Sequence, residues 1–229
     1  MELFINHRPY GSDQFRINYG QMPFVHRPGS LDDTSALQTN NLPEPTIKNG
    51  KEHFGVVTWT GDLTSRSITG LEFQPDFVWI KERTSTSNNV TFDSTRGVQK
   101  QLYITTAAES NNTATITSFD SGGFSIGNGL AVNESGEDYV AWCFKANGGT
   151  TSSNTDGTIT STVQANTNAG FSIVKYTGNG SSSATVGHNL GAIPDLTIFK
   201  QLDSGGTGGG YWNTYLTSNN TVGFLNSDI

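Results

Sequence analysis

The sequence has a single cysteine and few charged residues, and each shortage excludes a class of protein. Among 229 residues only Cys143 carries a thiol, so the chain can form neither an internal disulfide nor a multi-cysteine metal site. Cys143 lies in the apolar run 140–144, which favours a buried, inert thiol over a reactive one. The 13 Lys and Arg residues are scattered and the net charge is -7, which argues against nucleic acid as a partner.

Long apolar runs are missing as well. No stretch has the length that spans a bilayer, and residues 1–8 lack the charged-then-apolar order of a secretion signal. We therefore predict no membrane insertion. If the protein acts outside the cell that makes it, it must leave by a route other than secretion.

Clusters of metal-ligating side chains are also absent from the sequence. The four histidines are far apart, and none has a histidine or cysteine neighbour at a metal-ligand spacing. Segments 120–123 and 154–157 offer oxygen atoms of the kind that Ca²⁺ prefers, but neither adds the carboxylate that completes an EF-type loop, and both read equally as turns. We predict no cofactor and no metal, with calcium left open.

Turn-forming and β-forming residues are abundant. The chain has 27 glycines, only 14% of its residues are charged, and Thr, Ser and Asn separate short runs of β-branched and aromatic residues. These runs lie at 56–60, 77–80, 102–105, 115–119 and 124–126. The pattern predicts an all-β protein built from sandwich modules.

The chain begins the same module twice. Residues 54–61 (FGVVTWTG) return as 171–178 (FSIVKYTG), and 75–81 (PDFVWIK) return as 194–200 (PDLTIFK). The first copy continues through a strand-like run at 139–144 that has no counterpart in the second. We predict a first module at 51–148 and, at 149–229, a flexible linker through 154 and an incomplete second copy. We expect the chain to be the front of a longer protein.

The first fifty residues have a different composition from the rest. They hold five of the seven prolines, which do not fit the middle of a sheet, and they are rich in aromatic and arginine side chains. The alternative is a disordered leader segment, but such segments are normally poor in aromatic residues. We predict an extended arm that docks on a partner through Phe4, Tyr10, Phe15, Tyr19, Phe24 and Arg27.

Four separate motifs carry a resemblance to a known group of proteins. Residues 73–81, 92–97, 117–124 and 139–146, in this order, resemble a repeated domain of unknown function in virion proteins of tailed phages, particularly marine and cyanobacterial phages. The resemblance covers residues 54–229. It implies a lectin-like β-sandwich, a homotrimer and a place on the virion after assembly in the host cytoplasm and release by lysis. It supplies no catalytic residues.

These observations predict a non-enzymatic virion protein, a tail fibre or spike. The arm would bind other virion proteins of the tail or capsid, while the modules project toward the host surface. The alternatives are a capsid decoration protein and the non-catalytic front of a surface polysaccharide depolymerase. The acidic group at 134–138 is read as a solvated turn rather than as the two carboxylates of a glycosidase.

The tryptophans and one pair of opposite charges also carry predictions. Trp59, Trp79 and Trp142 lie in apolar runs and are expected in the core, whereas a glycine-rich loop precedes Tyr211 and Trp212 and is expected to expose them to a host glycan. Asp93 and Arg96 are expected to form an ion pair that steadies a turn, with contact to a partner as the alternative.

Overall fold

The computed structural model describes residues 49–105, 107–203 and 210–225, and nearly all of its regular structure is β. The all-β class predicted from the sequence is confirmed. Within these ranges the helical elements are one short helix, α1 (Leu130–Asn133), and the 3₁₀ turns Gly50–Glu52 and Thr217–Asn219. The strands are β1 (Phe54–Thr60), β2 (Arg66–Thr69), β3 (Phe77–Glu82), β4 (Val90–Asp93), β5 (Lys100–Tyr103), β6 (Ser110–Asn111), β7 (Ile116–Asp120), β8 (Gly123–Ile126), β9 (Asp138–Phe144), β10 (Ser152–Asn154), β11 (Ser161–Asn166), β12 (Phe171–Tyr176), β13 (Leu196–Lys200), β14 (Trp212–Leu216) and β15 (Thr221–Phe224).

The first copy is a two-layer β-sandwich. A six-stranded antiparallel sheet in the order β1-β9-β3-β4-β5-β6 packs against a three-stranded sheet in the order β2-β8-β7. Buried apolar residues of both sheets form one core cluster, in which Ile80 and Phe92 of the large sheet meet Phe124 and Ile126 of the small sheet. β9 is the last strand of this copy in the sequence, yet it lies between β1 and β3 and pairs with both along its length. It therefore closes the sandwich.

Strict alternation along the central strands decides which side chains enter the core. Successive side chains of a strand point to opposite faces of the sheet. In β9, Tyr139, Ala141 and Cys143 are fully buried, so Trp142 points to the outer face, where it meets Trp79 of β3 edge to face at 6.2 Å between ring centroids. The prediction that Trp79 and Trp142 lie in the core is wrong, because these strands are apolar on both faces.

Trp59, the third tryptophan in an apolar run, does pack against the core. Its ring stacks on Tyr139 with centroids 5.3 Å apart, and its Nε1 donates to the carbonyl of Val132 over 3.0 Å. The core interpretation of Trp59 is therefore confirmed.

The second copy is divided between two small sheets. β10-β11-β12 and β13-β14-β15 are three-stranded and antiparallel, and by the sequence repeat β12 corresponds to β1 and β13 to β3. Within the described part of the chain, no strand joins β12 to β13 as β9 joins β1 to β3. Both strands consequently lie at sheet edges.

The segment between the copies differs from the flexible linker that its composition predicts. The amides of Gly148 and Gly149 are bonded to Asp76, and residues 152–154 form β10. Residue contacts place everything from Asn49 onward in one compact unit, so the two copies are packed together. Among the described residues, no helix is long and apolar enough to cross a membrane.

Candidate assembly site

A buried carboxylate lies at the junction of the two copies. Asp76, which precedes β3, is fully buried, and its carboxylate accepts hydrogen bonds from Ser94 Oγ (2.6 Å) and from the amides of Ala146 (2.7 Å), Gly148 (2.8 Å) and Gly149 (2.6 Å). Several donors are what a buried charge requires in place of water. Because the three amides follow β9 in the chain, Asp76 fixes the exit of the closing strand to the start of β3.

The main chain of Asp76 strengthens the same connection. Its amide donates to the carbonyl of Phe144 over 2.8 Å, and its carbonyl accepts from the amide of Ser94 over 2.9 Å. One residue therefore ties together the ends of β9, β3 and β4. We call Asp76 with Ser94, Gly148 and Gly149 the carboxylate clasp.

Gln164 of β11 extends the clasp into the second copy. Its side chain is fully buried, its Oε1 accepts from the Gly149 amide over 3.1 Å, and its Nε2 donates to the hydroxyls of Ser94 (2.9 Å) and Thr95 (2.8 Å). A buried amide is stabilising only when its donors and acceptors are satisfied, as they are here. The network thus joins the two copies through two fully buried side chains, Asp76 and Gln164, and their partly buried partners.

Aromatic packing accompanies the polar network. Phe171, the first residue of β12, stacks on Phe144 at 5.3 Å between ring centroids and lies 6.4 Å from Phe77. The ring centroid of Phe54 lies 4.8 Å from that of Phe144. Phe54, Phe77 and Phe144 lie on the outer face of the large sheet, so Phe171 of the second copy covers part of that face.

The sheet of β13 to β15 makes a second contact with the first copy. Trp212 is only 6% exposed and its Nε1 donates to the carbonyl of Tyr103 over 2.9 Å, while Lys200 Nζ contacts the carbonyl of Thr105 at 3.4 Å. The prediction that a glycine-rich loop exposes Trp212 is wrong, because the ring packs beside β5 and finds a partner for its only polar atom.

Tyr211 has a different environment from its neighbour. It is 39% exposed, and its ring lies 4.9 Å from that of Phe224. Its role in glycan binding stays a prediction. The residues predicted to dock on the virion lie outside the described part of the chain; they are Phe4, Tyr10, Phe15, Tyr19, Phe24 and Arg27.

The ion pair expected beside the clasp is present. Arg96 Nε lies 2.5 Å from Asp93 Oδ2, both side chains are buried, and Arg96 Nη1 reaches Glu109 at 3.0 Å. The Asp93 carboxylate also accepts from the Arg96 amide over 2.8 Å. The structural interpretation is confirmed, because these bonds close the turn after β4 within the chain itself.

The ionisable groups with the clearest shifts lie in the core of the first copy. Burial raises the pKa of the Cys143 thiol to about 12, and burial is also the main cause that raises the pKa of Tyr139 to about 12. The Tyr139 hydroxyl donates to the carbonyl of Leu130 over 2.9 Å and accepts from the Glu134 amide over 3.0 Å. Both groups stay neutral at physiological pH, and the prediction of a buried Cys143 is confirmed.

The acidic group at 134–138 is tied to neighbouring strands. Thr60 Oγ1 donates to Asp138 over 2.7 Å, and the Thr84 hydroxyl donates to Glu137. In the described ranges there is no group of three or more His, Cys, Asp or Glu side chains arranged to hold a metal ion.

Sequence reasoning missed the carboxylate clasp. The sequence predicts a linker at Gly148 and Gly149, because glycine pairs are typical of flexible segments. A signal was nevertheless present, since Asp76 belongs to the Pro-Asp pair that returns at 194–195. The repeat marks the position, but only Asp76 is buried, whereas Asp195 is exposed.

The comparisons with known proteins concern the chain from residue 49 onward. The model of a family described as a domain of unknown function (DUF7483) matches residues 49–228. That description assigns neither activity nor location. No curated protein and no solved structure matches the chain. The match covers most of the sequence, and the chain belongs to the DUF7483 family of domains of unknown function.

Proposed function

We propose that this protein is a non-enzymatic structural protein of a tailed-phage virion, a tail fibre or spike. In this proposal residues 1–50 attach the chain to other virion proteins, and the β modules project toward the host surface. The observation that carries the proposal is the junction between the copies. In the sequence, the proposal is supported by four motifs that resemble, in the same order, those of phage virion domains.

The junction has the chemistry of a rigid connection between modules. It combines a buried carboxylate with four donors, a buried Gln164 bonded to both copies, and the stacked rings of Phe144 and Phe171. Contacts of this kind fix the orientation of one module on the next, whereas modules on flexible linkers reorient freely. A projecting fibre requires fixed orientation, because it has to hold its tip away from the particle.

The buried groups of the described residues support a structural role in a second way. Acid–base catalysis is most effective when a group has a pKa near the working pH. The pKa values of Tyr139 and Cys143 are raised to about 12, away from neutrality, and both side chains belong to the core of the sandwich. Their chemistry is that of packing rather than of proton transfer.

Contact with a host glycan is part of the proposal and rests on the side chain of Tyr211. It is the exposed member of the predicted pair, and its face could cover the apolar face of a pyranose. The partners proposed are thus virion proteins for the arm and a surface glycan for the modules, in a homotrimer.

Cryo-electron microscopy of the intact particle tests this function. Three copies leaving the tail, with the arm held in a neighbouring protein, are expected. Copies spread over the shell would make the chain a decoration protein, and its absence from purified particles would overturn the virion role. Deletion of residues 1–50 should abolish incorporation while circular dichroism and melting of the remaining chain stay unchanged. Equal incorporation of the truncated chain would contradict the docking role of the arm.

A further inference from the structure

An open groove lies between two segments of the chain that follow the first copy. Its volume is about 660 Å³, and it is lined by residues of 156–157, after β10, and of 185–194, between β12 and β13. Small-molecule sites typically have volumes of about 300–1,000 Å³. The Ile159 amide donates to the Thr185 carbonyl over 3.0 Å, and Ile159 pairs with Val186 in a parallel bridge. Main-chain bonds therefore hold the two segments together.

Asn154, the last residue of β10, fixes polar side chains of both segments. It is only 4% exposed, and its Nδ2 donates to Asp156 Oδ2 over 2.9 Å and to Asn189 Oδ1 over 2.7 Å. Its Oδ1 accepts from the Asp156 amide over 3.0 Å. Asp156 and Asn189 are thus held side by side before any ligand binds, which lowers the cost of ordering them around one.

Two glycines allow the segments to approach this closely. A Cβ on Gly187 would lie 1.8 Å from Asn154 Oδ1, and a Cβ on Gly157 would lie 2.4 Å from the Thr185 carbonyl oxygen. No side chain fits at either position unless these atoms move. The groove therefore depends on glycine at both positions.

Three polar groups of the lining residues stay available to a ligand. Within the described part of the chain, nothing bonds to the second carboxylate oxygen of Asp156 or to the side-chain nitrogen of Asn189. The Leu190 amide donates to His188 Nδ1 over 3.3 Å, so in the neutral ring Nε2 carries the proton and can donate. One acceptor and two donors along a groove match adjacent hydroxyl groups, each of which both donates and accepts.

Apolar surface and charge narrow the class of ligand further. Ile193 is 80% exposed, and with Pro194 it adds apolar surface to the groove. A pyranose combines an apolar C–H face with a rim of hydroxyls. Asp156 brings a negative charge, no Lys or Arg is found among the described residues that line the groove, and like charges placed together are unfavourable. The groove therefore suits a neutral sugar better than an acidic one.

We propose that this groove is a binding site for a neutral saccharide. Asp156, His188 and Asn189 bind adjacent hydroxyls of a pyranose, and Ile193 packs on its C–H face. The site goes beyond the glycan contact proposed above, which concerns a different residue, and it does not depend on the virion role.

A divalent cation is the competing ligand for the same oxygen atoms. Ca²⁺ prefers six to eight oxygen ligands, with carboxylates among them. Here Asp156 Oδ2 and Asn189 Oδ1 already accept from one amide group of Asn154. The arrangement therefore favours the sugar over the ion.

Solution NMR of the ¹⁵N-labelled, 229-residue protein tests the site. The probes are the methyl glycosides of mannose, galactose and glucose, each titrated alone, because a single sugar in an open groove binds too weakly to survive the washing of a glycan array. At least one should give saturable shifts of the backbone amides of Gly157, Gly187 and Gly191. N-acetylneuraminic acid, an acidic sugar, and CaCl₂ should each give no saturable shifts there.

Two pairs of variants assign the contacts. Asp156→Asn replaces the available acceptor with a donor and should weaken binding about tenfold, whereas Asp203→Asn, at another exposed aspartate, should bind like the unmodified protein. Ile193→Ser removes apolar contact and should weaken binding about fivefold, whereas Val222→Ser, at an apolar residue that is 68% exposed outside the groove, should not. All four positions are exposed, so the melting temperatures should change by no more than a few degrees.

Several results would overturn the proposal. These are absence of saturable shifts with all three glycosides, equal effects of a variant and its control, and saturable binding of the acidic sugar in the groove. Shifts at 154–157 with CaCl₂ alone, and none with the sugars, would assign the groove to a cation. Sugar binding that is lost in Tyr211→Ala but unchanged in Asp156→Asn would place the sugar at Tyr211, so failure of the groove is distinguishable from failure of the contact proposed above.

Discussion

The amide of Gly149 donates to the carboxylate of Asp76 over 2.6 Å, although 73 positions separate the two residues in the chain. Asp76 immediately precedes β3, which pairs with β9, and Gly149 follows the end of β9. The bond therefore closes the first sandwich at the point where the second copy begins. Gln164 accepts from the same amide, so closure of the first copy and docking of the second share one donor.

Replacing the clasp carboxylate should destabilise the whole compact unit. Asp76→Asn keeps the shape of the side chain but replaces an accepting oxygen with a donor that faces backbone amides. Placing a donor among these amides, inside a fully buried site, is expected to lower the free energy of unfolding by about 3 kcal/mol. Urea unfolding followed by circular dichroism measures the change.

The control for this substitution is Asp203→Asn at the surface. Its effect should be within about 0.5 kcal/mol of zero, as for most exposed positions. If Asp76→Asn lowered the free energy of unfolding as little as Asp203→Asn does, the Asp76 carboxylate would not hold the closing strand β9.

Gly149 is expected to reject a side chain for two reasons. Its φ is +79°, where residues with a Cβ are strained, and a Cβ there would lie 3.0 Å from Gln74 Nε2. Gly149→Ala should lower the free energy of unfolding by about 1–2 kcal/mol. Gly136→Ala is a matched control, because its φ is +86° but a Cβ would meet no atom within 4 Å. A larger loss at Gly149 than at Gly136 is expected, and equal losses would mean that the Gln74 side chain moves away from the added Cβ.

Replacing Gln164 should lower the local stability of the second copy more than that of the first. Gln164→Ala removes both donors to Ser94 and Thr95 and should speed hydrogen exchange in β11 and β12 more than in β3 and β9. We expect a loss of about 2 kcal/mol in the free energy of unfolding of the second copy. Uniform acceleration over the chain would indicate that the copies unfold as one body rather than separating first.

The sequence predicted the parts of this molecule that depend on local pattern. Short β-forming runs between turns predicted the strands, and the repeat at 75–81 and 194–200 located β3 and β13. The carboxylate clasp could not be derived, because it depends on a bond between Asp76 and an amide 73 positions away. The outward position of Trp79 and Trp142 was missed for a similar reason. Where a strand is apolar on both faces, alternation alone does not say which face is the core.

Glycan binding by the modules should depend on Tyr211 and not on the ring face of Trp212. Tyr211→Ala removes an exposed ring and should abolish binding on a glycan array without changing the melting temperature by more than a few degrees. Trp212→Phe removes the bond to the Tyr103 carbonyl and should lower stability by about 1 kcal/mol while leaving glycan binding unchanged. Unchanged glycan binding in Tyr211→Ala would remove this residue from the proposed receptor site.

Alkaline pH should destabilise the sandwich through Cys143 and Tyr139. The pKa of each group is raised to about 12 in the folded protein, from 9.0 for the thiol and 10.0 for the phenol. Between these lower values and 12 the unfolded chain has released protons that the folded chain still holds, so the free energy of unfolding falls as the pH rises. Below about pH 8 neither group contributes to this slope, because both are then protonated in the folded and in the unfolded chain.

The variant Cys143→Ala separates the contribution of the thiol to this pH dependence from that of the Tyr139 phenol. The variant loses some stability at every pH because it leaves a small cavity, but the decline in its urea midpoint between about pH 8 and about pH 10.5 should be shallower than that of the unmodified protein. The native thiol should also resist modification by a thiol reagent at about pH 8, since only the thiolate reacts. Rapid modification of the folded protein, or parallel pH profiles for the two proteins, would contradict the burial of Cys143 as the cause.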